Sequence, residues 1–518
     1  MQQGNQPFGR IRNFLWPIHG HEHRKLVPIF VLFFLISFVY NVLRCMKVTL
    51  VVTAEGASAE VIPFLKVWAV LPGAIILTYI YTKLLSRFNR EQVFYAMITI
   101  FLGFFTIFMV FLHPNREALE LTTVSNYLQG KLPESLKGLN GLIMMIRNWH
   151  LTLFYVLAEL WSAVVLSMLF WGFANEITSV DEAKRFYAIF ALGANSSGIF
   201  SGQFAQMLTL EKYNPSLPFG TMAWEQSLIL QLAVVLAMGL VVVCLFWWIN
   251  RKILPKDVYV ASEPGRITEK TKISLMECFS YLANSRYMLY ITIIVVAYNI
   301  VYNLSDVLWT EQIRQQYPKA SEFNSYINEI ASITGVFATL SALLLSGNVI
   351  RRYGWTVTAM ITPVLWVITS IGFFSCLLFS DNTVFTHVLG NFLGIPIYTL
   401  ALIFGSAQIC LGRAAKYTVF DESKEIAFIP LPKEQQRKGK AVVDGIASRF
   451  GKSGGSILIQ ALLLICGSLN FTIPYVAAIF VFVIALWIMA IFGLGKLASR
   501  TIDEELSTLS DVAAKRCT

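Results

Sequence analysis

Twelve apolar runs, each about the 20 residues a helix needs to cross the hydrocarbon core of a bilayer, dominate this chain. They cover 26–43, 61–82, 92–112, 150–173, 187–209, 227–249, 288–309, 327–346, 356–378, 386–411, 443–467 and 471–494, the fifth and eleventh being the weakest because they are rich in Gly and Ser. A chain that is 56% hydrophobic and 14% charged is far more apolar than a water-soluble domain. The expected fold is an all-α polytopic membrane protein with twelve transmembrane helices. Lys and Arg concentrate in the N-terminus, the even-numbered loops and the C-terminus, which predicts that both termini are cytoplasmic.

A basic, Pro-containing linker at 250–287 divides the runs into two sets of six, 26–249 and 288–494. That is the arrangement of a carrier built from two parallel repeats. A faint echo between 182–198 and 439–455, which precede or open the fifth and eleventh runs, supports it. Residues 1–25 mix Arg and Lys with Phe, Ile, Leu and Trp and suit an amphipathic segment on the cytoplasmic surface; 495–518 is a cytoplasmic tail.

Charges at membrane depth are costly unless they face a polar cavity or a partner. Arg44 and Lys47 follow the first run, and Lys66 lies inside the second. Glu159 is mid-run in the fourth and Asp306 near the end of the seventh. Asp444, Arg449 and Lys452 fall in the eleventh, with Lys438 and Lys440 just ahead of it. In two parallel repeats, spans 1, 4, 7 and 10 occupy equivalent inner positions, and Lys47, Glu159 and Asp306 fall on, or at the end of, three of them. The coincidence predicts a central polar cavity. Ammonium groups suit a phosphate chain; the alternative is that Glu159 and Asp306 serve only to pair helices.

Other chemistries are disfavoured. Forty-one Lys and Arg against 31 Asp and Glu give +10, but the cations are scattered between spans rather than gathered on a soluble face, which argues against nucleic acid. His19, His21 and His23 have no carboxylate or Cys cluster at ligand spacing beyond Glu22, and the seven Cys contain no Cys-x-x-Cys, so neither a metal site nor a disulfide framework is expected. Gly451-Lys452-Ser453 imitates a phosphate loop, but five residues rather than four separate Gly445 from Gly451 and no strand precedes it. The N-terminus carries neither a cleavable signal nor an organelle leader, which points to a bacterial inner membrane. No cofactor is called for, and the chain is expected to act as a monomer.

Several long motifs resemble the non-mitochondrial nucleotide transporters, the ATP:ADP antiporter family of plastids, chlamydiae and rickettsiae. They are Val-Val-Thr-Ala-Glu-Gly-x-x-Ala-Glu-Val-Ile-Pro-Phe-Leu-Lys (51–66), Phe-Trp-Gly-Phe-Ala-Asn-Glu-Ile-Thr (170–178), Glu-Ala-Lys-Arg-Phe-Tyr (182–187), Gly-Asn-Val-Ile-Arg-Arg-Tyr-Gly-Trp (347–355) and Lys-Gly-Lys-Ala-Val-Val-Asp (438–444). The resemblance implies a major-facilitator-like fold and nucleotide transport by alternating access without hydrolysis. The family's functional charges would fall on Lys47, Glu159, Asp306 and Lys438 or Lys440. The chain departs where the family usually reads Leu-Arg-Asp-Thr-Lys-Asp: here it is Leu-Arg-Cys-Met-Lys-Val (43–48), without either carboxylate. The seventh-span glutamate is the shorter Asp306, and a lysine that often follows its Trp is Thr310. Strict ATP-for-ADP exchange is thereby opened to question, with import of several nucleoside triphosphates, coupled to protons through Glu159 or Asp306, as the variant.

The combined expectation is a carrier in which Lys47, Lys66, Lys438, Lys440, Arg449 and Lys452 hold phosphates while Glu159, Asp306 and Asp444 act as gate partners or proton sites. With 39 Phe, 20 Tyr and 12 Trp, a base-stacking residue cannot be singled out. The rival readings are a carrier of another organic phosphate and a membrane-embedded transferase.

Overall fold

A computed structural model describes residues 18–254, 285–344, 348–380 and 394–516, with isolated positions between 381 and 393. The linker 250–287 and the segment 1–25 thus fall largely outside the described residues. Twelve long helices follow one another: α1 (His23–Val52), α2 (Val61–Leu85), α3 (Arg90–Leu112), α4 (Trp149–Ile177), α5 (Val180–Met207), α6 (Ala223–Ile253), α7 (Arg286–Gln316), α8 (Ala320–Leu344), α9 (Asn348–Leu378), α10 (Ile397–Ala427), α11 (Ser448–Cys466) and α12 (Leu469–Arg516). Ten are long and apolar enough to cross a membrane; the remaining two, α5 and α11, are the Gly/Ser-rich runs.

Their composition follows from where they pack. α5 lies against α8 of the other half, where Gly198 approaches Gly335 and a Cβ on Gly335 would meet the Ile199 nitrogen at 2.6 Å. α11 lies against α7 in its own half: a Cβ on Gly451 would meet Asn299 Cβ at 2.8 Å, and one on Gly455 would meet Asn303 Cβ at 3.1 Å. Its outer face reaches α2, where Gln460 donates to the Pro63 carbonyl (2.9 Å) and accepts from the Trp68 indole (3.1 Å). Where lipid supplies no hydrophobic drive between helices, small residues that admit close backbone approach provide the contact.

Two helices differ from the sequence expectation in ways that move the site. α1 does not stop at 43 but runs to Val52, so Arg44 and Lys47 lie within it. α10 begins after Pro396 rather than at 386, and continues through a π-helical turn, Lys416–Phe420, to Ala427. Its start is set by Pro, whose missing N–H is harmless at a helix N-terminus.

The halves touch toward their odd-loop ends. Asn324 of α8 donates to Thr49 of α1 (3.0 Å), Ser332 to the Ile199 carbonyl (2.9 Å), and the Ala59 and Leu469 backbone N–H groups donate to Glu311 (3.0 Å) and Glu60 (2.9 Å). Gly138 of the loop between α3 and α4 packs on the Leu463 backbone. Toward the even-loop ends the ion pairs among the described residues stay within a half: Lys25–Glu182 in the first, Lys416–Asp421 and Lys424–Asp444 in the second. The odd-loop end is the closed one.

Candidate functional site

On α7, Asn299, Asn303 and Asp306 recur at spacings of four and three, a polar stripe on one helical face. Lys66, in a π-helical turn of α2 at Leu65–Val70, reaches this stripe from the other half. Its Nζ donates to Asn303 Oδ1 (2.7 Å) and lies 3.4 Å from Asp306 Oδ2. Among the described residues this is the one ion pair that joins the halves. Asn303 is fixed from behind by donating to the Lys452 carbonyl (2.6 Å) and to Ser456 (2.8 Å) of α11, so the glycine packing of α11 on α7 also sets the acceptor for Lys66.

The second oxygen of Asp306 accepts from the Tyr302 hydroxyl (3.3 Å) and faces Arg413 of α10 at 3.6 Å. Arg413 Nε donates to the Tyr302 oxygen (2.8 Å), and its guanidinium lies 5.3 Å from the ring centroid. One carboxylate therefore holds two cations, one from each half.

Lys47 is buried, paired with Glu159 of α4, and sits 4.6 Å from the centroid of the Tyr155 ring. Glu159 is the more open partner, its side chain 36% exposed against 4% for Lys47. An approaching anion meets the carboxylate before the ammonium. Lys452 and Arg449 project from α11 with no ion-pair partner among the described residues, and Lys452 is within electrostatic reach of Lys66.

The structure thus brings Lys47, Glu159, Lys66, Asp306 and Lys452 toward one central region. Lys440 and Asp444 are placed elsewhere: Lys440 pairs with Glu425 (2.5 Å) and Asp444 with Lys424 (2.7 Å), a chain of charges between the even-loop ends of α10 and α11. The Lys438 side chain lies outside those described. Arg413 was missed by sequence reading because a run placed at 386–411 leaves it in the following loop; Pro396 as a helix start would have moved the window over it. With Arg413, the four inner helices 1, 4, 7 and 10 each supply an ionisable group to the centre.

At the closed end, Glu60 lies just before α2 and accepts from the Leu469 N–H. Burial pushes its carboxyl above the usual value, opposed by that hydrogen bond. Glu311 binds Arg314 through both oxygens (2.7–3.2 Å) as well as the Ala59 N–H.

Chemically, the centre offers, among the described residues, Arg44, Lys47, Lys66, Arg413 and Lys452 against Glu159 and Asp306. Such a surplus of cations with exchangeable carboxylate partners fits a polyanion that replaces those partners on binding.

The TLC ATP/ADP transporter family description matches residues 1–497. The chain is 43% identical over 495 residues to ADP,ATP carrier protein 1 of Chlamydia pneumoniae, covering 95% of both chains. It is 38% identical over 493 residues to the chloroplastic ADP,ATP carrier protein 1 of Arabidopsis thaliana, covering 93% of this chain and 75% of the relative. Among solved structures, a bacterial homologue of the iron transporter ferroportin in an inward-facing state superposes with a TM-score of 0.57 at 14% identity, covering 92% of this chain and 99% of that one. A D-xylose-proton symporter gives 0.52 at 11% identity, covering 91% and 96%. The likeness to these last two is one of fold, all-helical and major-facilitator-like.

Proposed function

Because the chain belongs to the TLC ATP/ADP transporter family, we propose that it carries nucleotides across a bacterial inner membrane by alternating access, without hydrolysing them. The observation that carries this reading is Lys66 bridging from α2 of one half to Asn303 and Asp306 of the other. A polyphosphate entering the cavity takes over Lys66, Lys47 and Arg413 from their carboxylates. Losing the Lys66–Asp306 tie frees the two halves to rock against each other, so that substrate binding and movement are coupled. Arg413, also released from Asp306, follows the phosphate with its planar fork.

In the empty carrier the same tie holds the halves together. Return without cargo is then slow, which favours exchange over net import even though the two carboxylates usual beside Lys47 are absent. Both termini and the even-loop ends lie in the cytoplasm on this reading, and the closed end is the outer one, a placement supported by the distribution of Lys and Arg.

The test is uptake of labelled ATP, ADP, GTP, CTP and UTP into proteoliposomes, with and without internal nucleotide and with and without a pH gradient. Exchange predicts uptake that depends on internal nucleotide and is unchanged by the gradient. Proton-coupled import predicts the reverse, and absence of flux for every nucleotide contradicts the assignment.

A further inference from the structure

Among the described residues five tyrosines lie near the cationic centre, and four already have their rings engaged or partly covered. Tyr155 is buried with Lys47 over its face, Tyr302 carries Arg413 on its face, and Tyr298 is buried and stacked on Tyr302 with 6.1 Å between centroids. Tyr40 is half-buried on α1, where positions 40, 44 and 47 share one helical face, so it lies on the face that carries Arg44 and Lys47. Tyr417 differs from all of these: it is 49% exposed, one turn beyond Arg413 on α10. It sits in the π-helical turn Lys416–Phe420, a local widening of the kind that recurs at functional sites. One face of its ring has Lys416 Nζ 4.9 Å from the centroid. The other face has no ring partner among the described residues.

The surroundings identify what that face could hold. Tyr417 is one helical turn beyond Arg413 on α10 and within electrostatic reach of Arg413, Lys452 and Tyr40 of the other half, so it lies in the same region as the cations assigned to the phosphates. A ligand with a phosphate chain at one end and a flat ring at the other matches a cluster of cations flanked by an open aromatic face. An isolated phosphate would make no use of the open ring face.

We propose that Tyr417 is the stacking platform for the nucleoside base, with Tyr40 of the opposite half closing on the base's other face as the halves come together. This rests on the nucleotide-transport reading and adds to it the residues that recognise the base. Stacking is tolerant of base identity because every base has a π face; the pair therefore selects for the presence of a base and leaves the choice among bases to hydrogen-bonding neighbours.

The experiment uses the full-length protein in liposomes preloaded with ADP, measuring KM for labelled ATP and its inhibition by inorganic tripolyphosphate, a competitor without a base. Tyr417→Ala is expected to raise the ATP KM about tenfold, the loss of one base–aromatic stack, while tripolyphosphate inhibition stays within about twofold of wild type. Tyr417→Phe, which keeps the π face, is expected to behave as wild type, and Tyr40→Ala to show the same split with a smaller rise. Tyr417→Leu keeps apolar volume without a ring and repeats the test if the alanine variant does not fold. An unchanged ATP KM, an equal loss of tripolyphosphate and ATP, or a phenylalanine variant as impaired as alanine overturns the proposal while leaving nucleotide transport standing. A wild-type protein that takes up no nucleotide overturns the transport reading and this one with it.

Discussion

Neutralising Asp306 separates two accounts of what that carboxylate does. In Asp306→Asn the Asn303 acceptor for Lys66 is retained, but the charge facing Lys66 at 3.4 Å and Arg413 at 3.6 Å is gone. At an effective dielectric of about 20, a unit pair at 3.4 Å is worth ~5 kcal/mol. Most of that is offset by desolvation of the partners, and Lys66 keeps its 2.7 Å bond to Asn303. A net of about 1.4 kcal/mol remains for the substrate to gain by no longer competing, so ATP should bind about tenfold tighter. Release should slow by a similar factor, because the carboxylate that reclaims the cations has been removed. The assay is equilibrium ATP binding to detergent-solubilised protein, alongside ATP/ADP exchange in liposomes. Tighter binding with slower exchange is expected. Weaker binding would refute the competition argument and would instead make Asp306 a direct ligand, such as an acceptor for the ribose hydroxyls.

Other consequences are equally specific. Gly451→Ala is expected to lower the melting temperature by several degrees, because its Cβ would meet Asn299 Cβ at 2.8 Å, whereas Gly454→Ala, with open space at that position, should leave it unchanged; equal effects in a thermal melt would contradict the close packing of α11 on α7. Arg413→Met is expected to raise the ATP KM at least tenfold, while Arg413→Lys recovers only part, since the bidentate fork is lost. Glu60 is held above its usual pKa by burial, so the contribution of its neutral form to the closed end is complete below the ordinary carboxylate value and is lost as pH rises through the raised one. Mild acid should therefore favour closure, and Glu60→Gln should stay closed at neutral pH, as read by accessibility of a cysteine introduced at the outer end; a variant opening like wild type would contradict this.

The helical count was legible because bilayer length and apolarity leave few alternatives, and the weakness of runs five and eleven proved to be a property of helices that present Gly and Ser to other helices. Lys47, Glu159, Lys66 and Asp306 stood out because a charge inside an apolar run has no inexpensive alternative to a partner or a cavity. Arg413 was hidden by hydropathy itself: at the end of an apolar run a part-buried cation reads as the first residue of a loop. The helix start that would have reassigned it, Pro396, is a stereochemical signal rather than a hydropathic one. Tyr302 and Asn303 lay in the polar stripe of α7 but carry no formal charge, so no cost marked them. Lys440 and Asp444 show the opposite case, since a charged motif near a span end is equally suited to ion pairs at the even-loop surface.

The most direct test is a density map of the ATP-bound protein in lipid. Phosphate density is expected between α1, α2 and α10, in contact with Lys47, Lys66 and Arg413, with the Lys66 ammonium turned from Asp306 to a phosphate oxygen. A nucleotide bound elsewhere, with Lys66 still on Asp306, would contradict the exchange of partners on which transport is argued to depend.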